Sequence, residues 1–181
     1  MPQLVALSLS IGVLGGIWAL IALSAPAYLL VWAGFIAWGC FFHTGGDQKA
    51  LIKTICGNVY GIIVAWIALL IIVNVNGGLL ANAIIVGVTV FFLVIVASIE
   101  PLSAVPANVY GYAATVAWAL SVPSAPGATP DVAGTGPLFN LTAASFANPL
   151  LTLILSMVLG AIFGYVSGQI AKALTKRVAA A

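Results

Sequence analysis

The chain is 181 residues long, 64% hydrophobic and only 4% charged, with a formal net charge of +2. A soluble domain carries about 25% charged residues to face water, so this exterior must face lipid, and so weak a charge argues against a nucleic-acid partner. A mean hydropathy of +1.25 at this length fits about six helices of roughly 20 residues. The expectation is one transmembrane domain over 1–181, with no room for a separate soluble one.

The N-terminus lacks the basic, cleavable pattern of a secretory signal, so the first apolar run, 4–24, should stay as a helix. Its Gly12, Gly15 and Gly16, with Ser8 one turn earlier, suit close helix approach. The second run, 28–42, is the shortest and carries Gly34 with Tyr28, Trp32 and Trp38 as interface or bundle aromatics. Next comes "FFHTGGDQKALIK", which holds the chain's only His, one of its three acidic residues and two of its five basic ones. As a wet turn over 43–50 it needs Gly45 and Gly46 for positive φ and Thr44 or Asp47 as a cap for the next helix. That reading leaves His43 unexplained. In the alternative reading the stretch is a vestibule whose imidazole senses pH. No second His or Cys stands at ligand spacing from it, so no metal site is expected. Cys40 and Cys56 read as reduced packing thiols.

The third helix is expected over 51–75, the Asn- and Gly-rich "NVNGG" as a tight turn, and the fourth helix over 79–99. The fifth, from about 102 to 122, starts in "IEPLSAVPANVYG" and should be interrupted near Pro106, which removes a backbone donor and frees a carbonyl one turn back. Glu100 could sit near membrane depth, although the interface is its ordinary home. The Pro-, Gly-, Ser- and Thr-rich stretch 123–149 has no continuous apolar run and should form a periplasmic loop. The sixth helix, 150–174, carries Gly160, Gly164 and Gly168 at four-residue spacing, a face for close packing against a helix of this chain or of another subunit. Lys49 and Lys53, then Lys172, Lys176 and Arg177, fall after the second and sixth helices. Positive charge stays inside, so both termini are expected in the cytoplasm.

One tetrapeptide recurs. Asn58–Val59–Tyr60–Gly61 in the third helix and Asn108–Val109–Tyr110–Gly111 in the fifth are each followed by Val-Ala-Trp, ending at Trp66 and Trp118. An Asn amide set against lipid costs several kcal/mol, so both should face protein or water at similar depth. Interhelical hydrogen bonds are one reading. A pathway lined by Asn58, Tyr60, Asn108, Tyr110, Trp66, Trp118 and His43 is the other.

"SIGVLGGIWALIAL", "WAGFIAWGCFF", the Gly45–Gly46 pair, "AVPANVYGYAATVA" and "LGAIFGYVSG" together resemble the YcdZ-like bacterial inner-membrane family, whose function is unknown. Gly12 to Trp18, Trp32 to Gly34, Pro106 and Gly160 to Tyr165 carry most of the likeness. It implies an integral protein of the bacterial inner membrane and supplies no substrate. His43 and Asp47 stand outside the family pattern, and the loop 123–149 is longer here.

No Ser-His-Asp set, HExxH or phosphate loop is present, and one His with two Met is too little for haem. The expectation is therefore a protein without enzymatic activity or cofactor. It reads as an all-α integral membrane channel or facilitator for a small neutral or weakly polar solute, as a homo-oligomer in the lipid bilayer. The alternative is a non-catalytic subunit of a larger membrane complex.

Overall fold

The structure, a computed structural model, describes residues 2–121 and 137–179. The expected outer loop therefore lies outside the described residues as far as residue 136. All the regular structure described is helical: α1 (Gln3–Ser24), α2 (Val31–His43), α3 (Gln48–Val75), α4 (Gly78–Ile95), α5 (Val105–Ser121) and α6 (Pro149–Ala179), joined in part by 3-10 turns. Among the described residues, four stretches are long and apolar enough to cross a membrane: Gln3–Ser24, Gln48–Val75, Gly78–Ser98 and Pro149–Thr175. With the composition, they make this a membrane protein. α2 is apolar but has only 13 residues, about 20 Å of helix against about 30 Å of hydrocarbon.

Helix ends follow local chemistry. α2 starts at Val31 rather than residue 28 because the N–H groups of Tyr28 and Leu29 turn back to the Ala25 carbonyl. Leu30 is extended, and its N–H donates to Ser156 Oγ of α6 at 2.9 Å. Asp47 caps α3 by accepting from Ala50 N at 2.7 Å, while Gly45 and Gly46 take φ of 129° and 68°. Asn76 at φ 46° and Gly78 at φ 75° make the turn into α4. Asn148 caps α6 through Leu150 N, with Pro149 in the first turn, where its missing N–H costs little.

The expected interruption of the fifth helix lies upstream of Pro106. α4 tightens into a 3-10 turn at Val96–Ser98, a second 3-10 turn covers Glu100–Leu102, and α5 begins only at Val105. Pro106 therefore stands in the first turn of α5, where proline is tolerated, and not in a kinked interior.

The helices stack in an order set by small residues. α2, α3, α5 and α6 meet in a core of Leu30, Ala33, Ala37, Ile62, Ala114, Leu153, Met157 and Ala161. Alanine at so many contacts lets backbones come close, where packing rather than water exclusion holds helices together. α1 lies against α6 and α2, and α4 lies against α3 and α5. Gly160 of α6 abuts the Gly34 backbone of α2, and a Cβ at Gly164 would stand 3.0 Å from both Phe41 and Trp38. The glycine face of α6 thus packs inside this chain. Trp18 of α1 closes over Gly34 and donates its indole N–H to Val31 O at 3.0 Å. α4 buries only Thr89 and Leu93, leaving an apolar outer face that suits acyl chains.

One end of the bundle gathers the polar termini. Gln3 and Leu7 of α1, the turn residues Gly45, Gly46 and Asp47, and Lys172 and Thr175 of α6 line a single cleft of about 440 Å³. The start of α1, the α2–α3 turn and the end of α6 therefore lie at the same end.

Candidate functional site

The repeated tetrapeptides pack directly on one another. Gly57 of α3 meets Ala107 of α5, and Gly61 reaches the Tyr112 backbone, so the two helices run in the same direction. A Cβ at Gly61 would overlap the Asn108 carbonyl oxygen, and a Cβ at Gly111 would overlap the Asn58 carbonyl oxygen. The contact is reciprocal: exchanging the copies exchanges the contacts. This is a small-residue crossing built from two copies within one chain. Only glycine allows it, since any side chain here would force carbonyl and helix apart.

The quasi-twofold relation sends equivalent side chains to opposite sides of the pair. Asn108 faces α4. Its amide donates to Leu93 O at 3.1 Å and to Leu102 O at 3.0 Å. Leu102 O is the carbonyl one turn before Pro106, which has no N–H to offer it, so the Asn108 amide supplies the missing donor. Tyr60 works on the same side, donating to Phe92 O at 2.9 Å. Together the two residues satisfy carbonyls that the ending of α4 and the proline leave bare.

Asn58 lies on the other side. It shares a stripe of α3 with Thr54 and Ile62, one turn before and after, and Ile62 packs in the core with α2, α5 and α6. Asn58 is 1% exposed, yet among the described residues neither its Nδ2 nor its Oδ1 has a hydrogen-bond partner. Thr54, also fully buried, finds no partner for its hydroxyl better than the weakly bonding Cys40 thiol. Each such orphan costs about 1–3 kcal/mol. Among the described residues Asn108 keeps one orphan too, its Oδ1. The two asparagines are therefore alike in sequence and burial but differ in satisfaction.

Below Thr54, toward the end that carries Lys53, the polar groups reach the surface. His43 Nδ1 and Tyr110 OH are 3.0 Å apart, joining the end of α2 to α5. His43, Thr44, Lys53, Ser103, Ala104 and Pro106 line an open cleft of about 260 Å³. Thr54 and Asn58 follow Lys53 in the same helix, buried and outside the lining of this cleft.

Of the residues singled out in the sequence, the structure brings His43 to Tyr110 and sets Asn58 and Asn108 on one helix contact. Trp66 and Trp118 part company. Val-Ala-Trp begins six residues after Asn58 but eight after Asn108, and two residues turn a helix by about 200°. Trp66 donates to Leu141 O at 2.8 Å, whereas Trp118 lies 6.2 Å from Trp32, centroid to centroid. Sequence reading missed Thr54, although its four-residue spacing from Asn58 was visible. It also missed Asn82, whose buried Oδ1 lacks a partner among the described residues, beside an apolar cleft of about 420 Å³ between α3, α4 and α5. Among the described residues no three His, Cys, Asp or Glu groups come together as metal ligands. Both cysteines are free.

Fold and site define a helical membrane protein with buried polar side chains, Thr54, Asn58 and Asn108, on the paired helices α3 and α5. Residues 8–172 match the family described as "Protein of unknown function (DUF1097)", and the chain belongs to that family. No curated protein sequence and no solved structure matches it.

Proposed function

We propose that this chain is a YcdZ-like facilitator of the bacterial inner membrane, passing a small neutral or weakly polar solute through each protomer of a homo-oligomer. In this reading all six helices belong to the membrane domain, both termini are cytoplasmic, and the stretch 123–149 is periplasmic. The shared cleft of Gln3, Asp47 and Lys172 supports that topology, because positive charge is retained inside.

One observation carries the transport reading: Asn58, fully buried, has both amide atoms without a partner among the described residues. Structural asparagines in membrane bundles bond across helices, as Asn108 does. A buried amide left open one turn from the Thr54 hydroxyl suits a group that stands in for water around a passing solute. Asn108 and Tyr60, tied to α4, serve the scaffold. The scarcity of buried charge fits a neutral solute better than an ion. The test is solute-driven swelling of proteoliposomes with urea, acetamide, glycerol and small amines. Swelling no faster than empty liposomes for all of them overturns the reading.

A non-catalytic complex subunit is the second reading, favoured by α1. Ser8, Gly12 and Gly16 form an exposed stripe, and nothing among the described residues comes within 4 Å of a Cβ built on either glycine. Such a stripe accepts another helix closely. Co-purification with different subunits, in place of a homo-oligomer, would establish it.

A further inference from the structure

The chemistry left open on Asn58 narrows the solute, given the facilitator reading on which this inference rests. A side-chain amide presents an N–H donor and a C=O acceptor side by side on one edge. On Asn58 neither atom is engaged among the described residues, although the residue is 1% exposed. The neighbouring Thr54 hydroxyl, one turn away on the same face, can donate or accept. The same helix position in the second repeat shows what such an amide does when the protein engages its donor side: both Asn108 bonds run from Nδ2 to carbonyl oxygens.

We propose that Asn58 selects a solute carrying an amide or urea group, pairing with it edge to edge. Its Nδ2 donates to the solute carbonyl while its Oδ1 accepts from the solute N–H, and Thr54 takes a remaining N–H. A polyol has hydroxyls but no fixed donor–acceptor edge, so it leaves one Asn58 atom unpaired. A carboxylate has acceptors only and sets its charge against Oδ1. Uncompensated polar atoms in a dry site are costly, which is what gives such a site its discrimination. The cleft beside His43 and Lys53 opens at this end of α3 and stops short of Thr54 and Asn58. The Asn58 amide is sealed in this conformation, so the packing around it must open for a solute to reach it.

The experiment compares stopped-flow swelling of proteoliposomes in urea and acetamide with that in ethylene glycol and glycerol, each corrected for empty liposomes. The wild-type chain should favour the amides by about tenfold, the worth of one well-made hydrogen bond. Asn58→Leu should erase that preference. Asn58→Ser, smaller and still polar, should do the same and covers the case in which leucine disturbs the α3–α5 contact. Equal passage of amides and polyols overturns the amide selectivity while leaving the facilitator standing. An amide preference that survives both substitutions overturns the role of Asn58. No flux above empty liposomes for any solute removes the facilitator itself, and this inference with it.

Discussion

The two asparagines of the repeat make a sharp comparison: replace each with leucine and measure stability. Asn108→Leu removes two hydrogen bonds, to Leu93 O and Leu102 O, and strands both carbonyls. Side-chain hydrogen bonds between membrane helices are worth about 0.6–1.7 kcal/mol each, so the loss should be about 1–3 kcal/mol. Asn58→Leu breaks no hydrogen bond among the described residues and removes two buried orphans. Leucine is bulkier than asparagine, and overpacking adds about 1–3 kcal/mol at either site. Because the positions are equivalent in the reciprocal α3–α5 contact, that cost is largely shared, and the difference isolates the hydrogen bonds. The assay is reversible unfolding in mixed detergent micelles followed by far-UV circular dichroism. Asn58→Leu should be the more stable variant by about 1–3 kcal/mol. If it loses as much stability as Asn108→Leu, or more, the division into a satisfied and an open copy is wrong.

Gly164→Leu should destabilise by at least about 1–3 kcal/mol, because a Cβ there already stands 3.0 Å from Phe41 and Trp38; an unchanged melting temperature would contradict the α2–α6 packing. Gly16→Ala, where a Cβ meets nothing within 4 Å, should raise monomer stability by up to about 1 kcal/mol through helix propensity. If it instead weakens an oligomer, the α1 stripe is an interface. Asp47→Ala removes the cap on Ala50 N and should cost about 1 kcal/mol, read as a shift in the same unfolding curves. Cysteines introduced at 47 and 175 should label from the cytoplasm and one at 135 from the periplasm; labelling of 47 and 135 from one side would end the six-span proposal.

Much of the fold was legible because it depends on local chemistry. Apolar runs, the glycines at 45 and 46 and the "NVNGG" turn mark helices and their ends without knowledge of neighbours. The start of α2 was not legible, since Leu30 leaves the helix to bond Ser156, far away in sequence. The break before α5 was foreseen from its prolines. Its position was not, because α4 unwinds into 3-10 turns before Pro106 is reached. The spacing of Gly160, Gly164 and Gly168 announced a packing face, but only the folded chain shows Gly34, Trp38 and Phe41 filling it.

Composition determined the solvent of this protein, and the order and spacing of its residues determined its helical class and the small-residue faces that let its helices touch, because those properties belong to stretches of chain. What the tertiary structure decided is how two identical tetrapeptides differ. Asn108 finds the carbonyls of Leu93 and Leu102, while Asn58, in the equivalent place, finds none among the described residues. The physical reason is that a hydrogen bond needs a partner within about 3 Å. Which carbonyl comes that near depends on where α4 ends, and neither tetrapeptide encodes that.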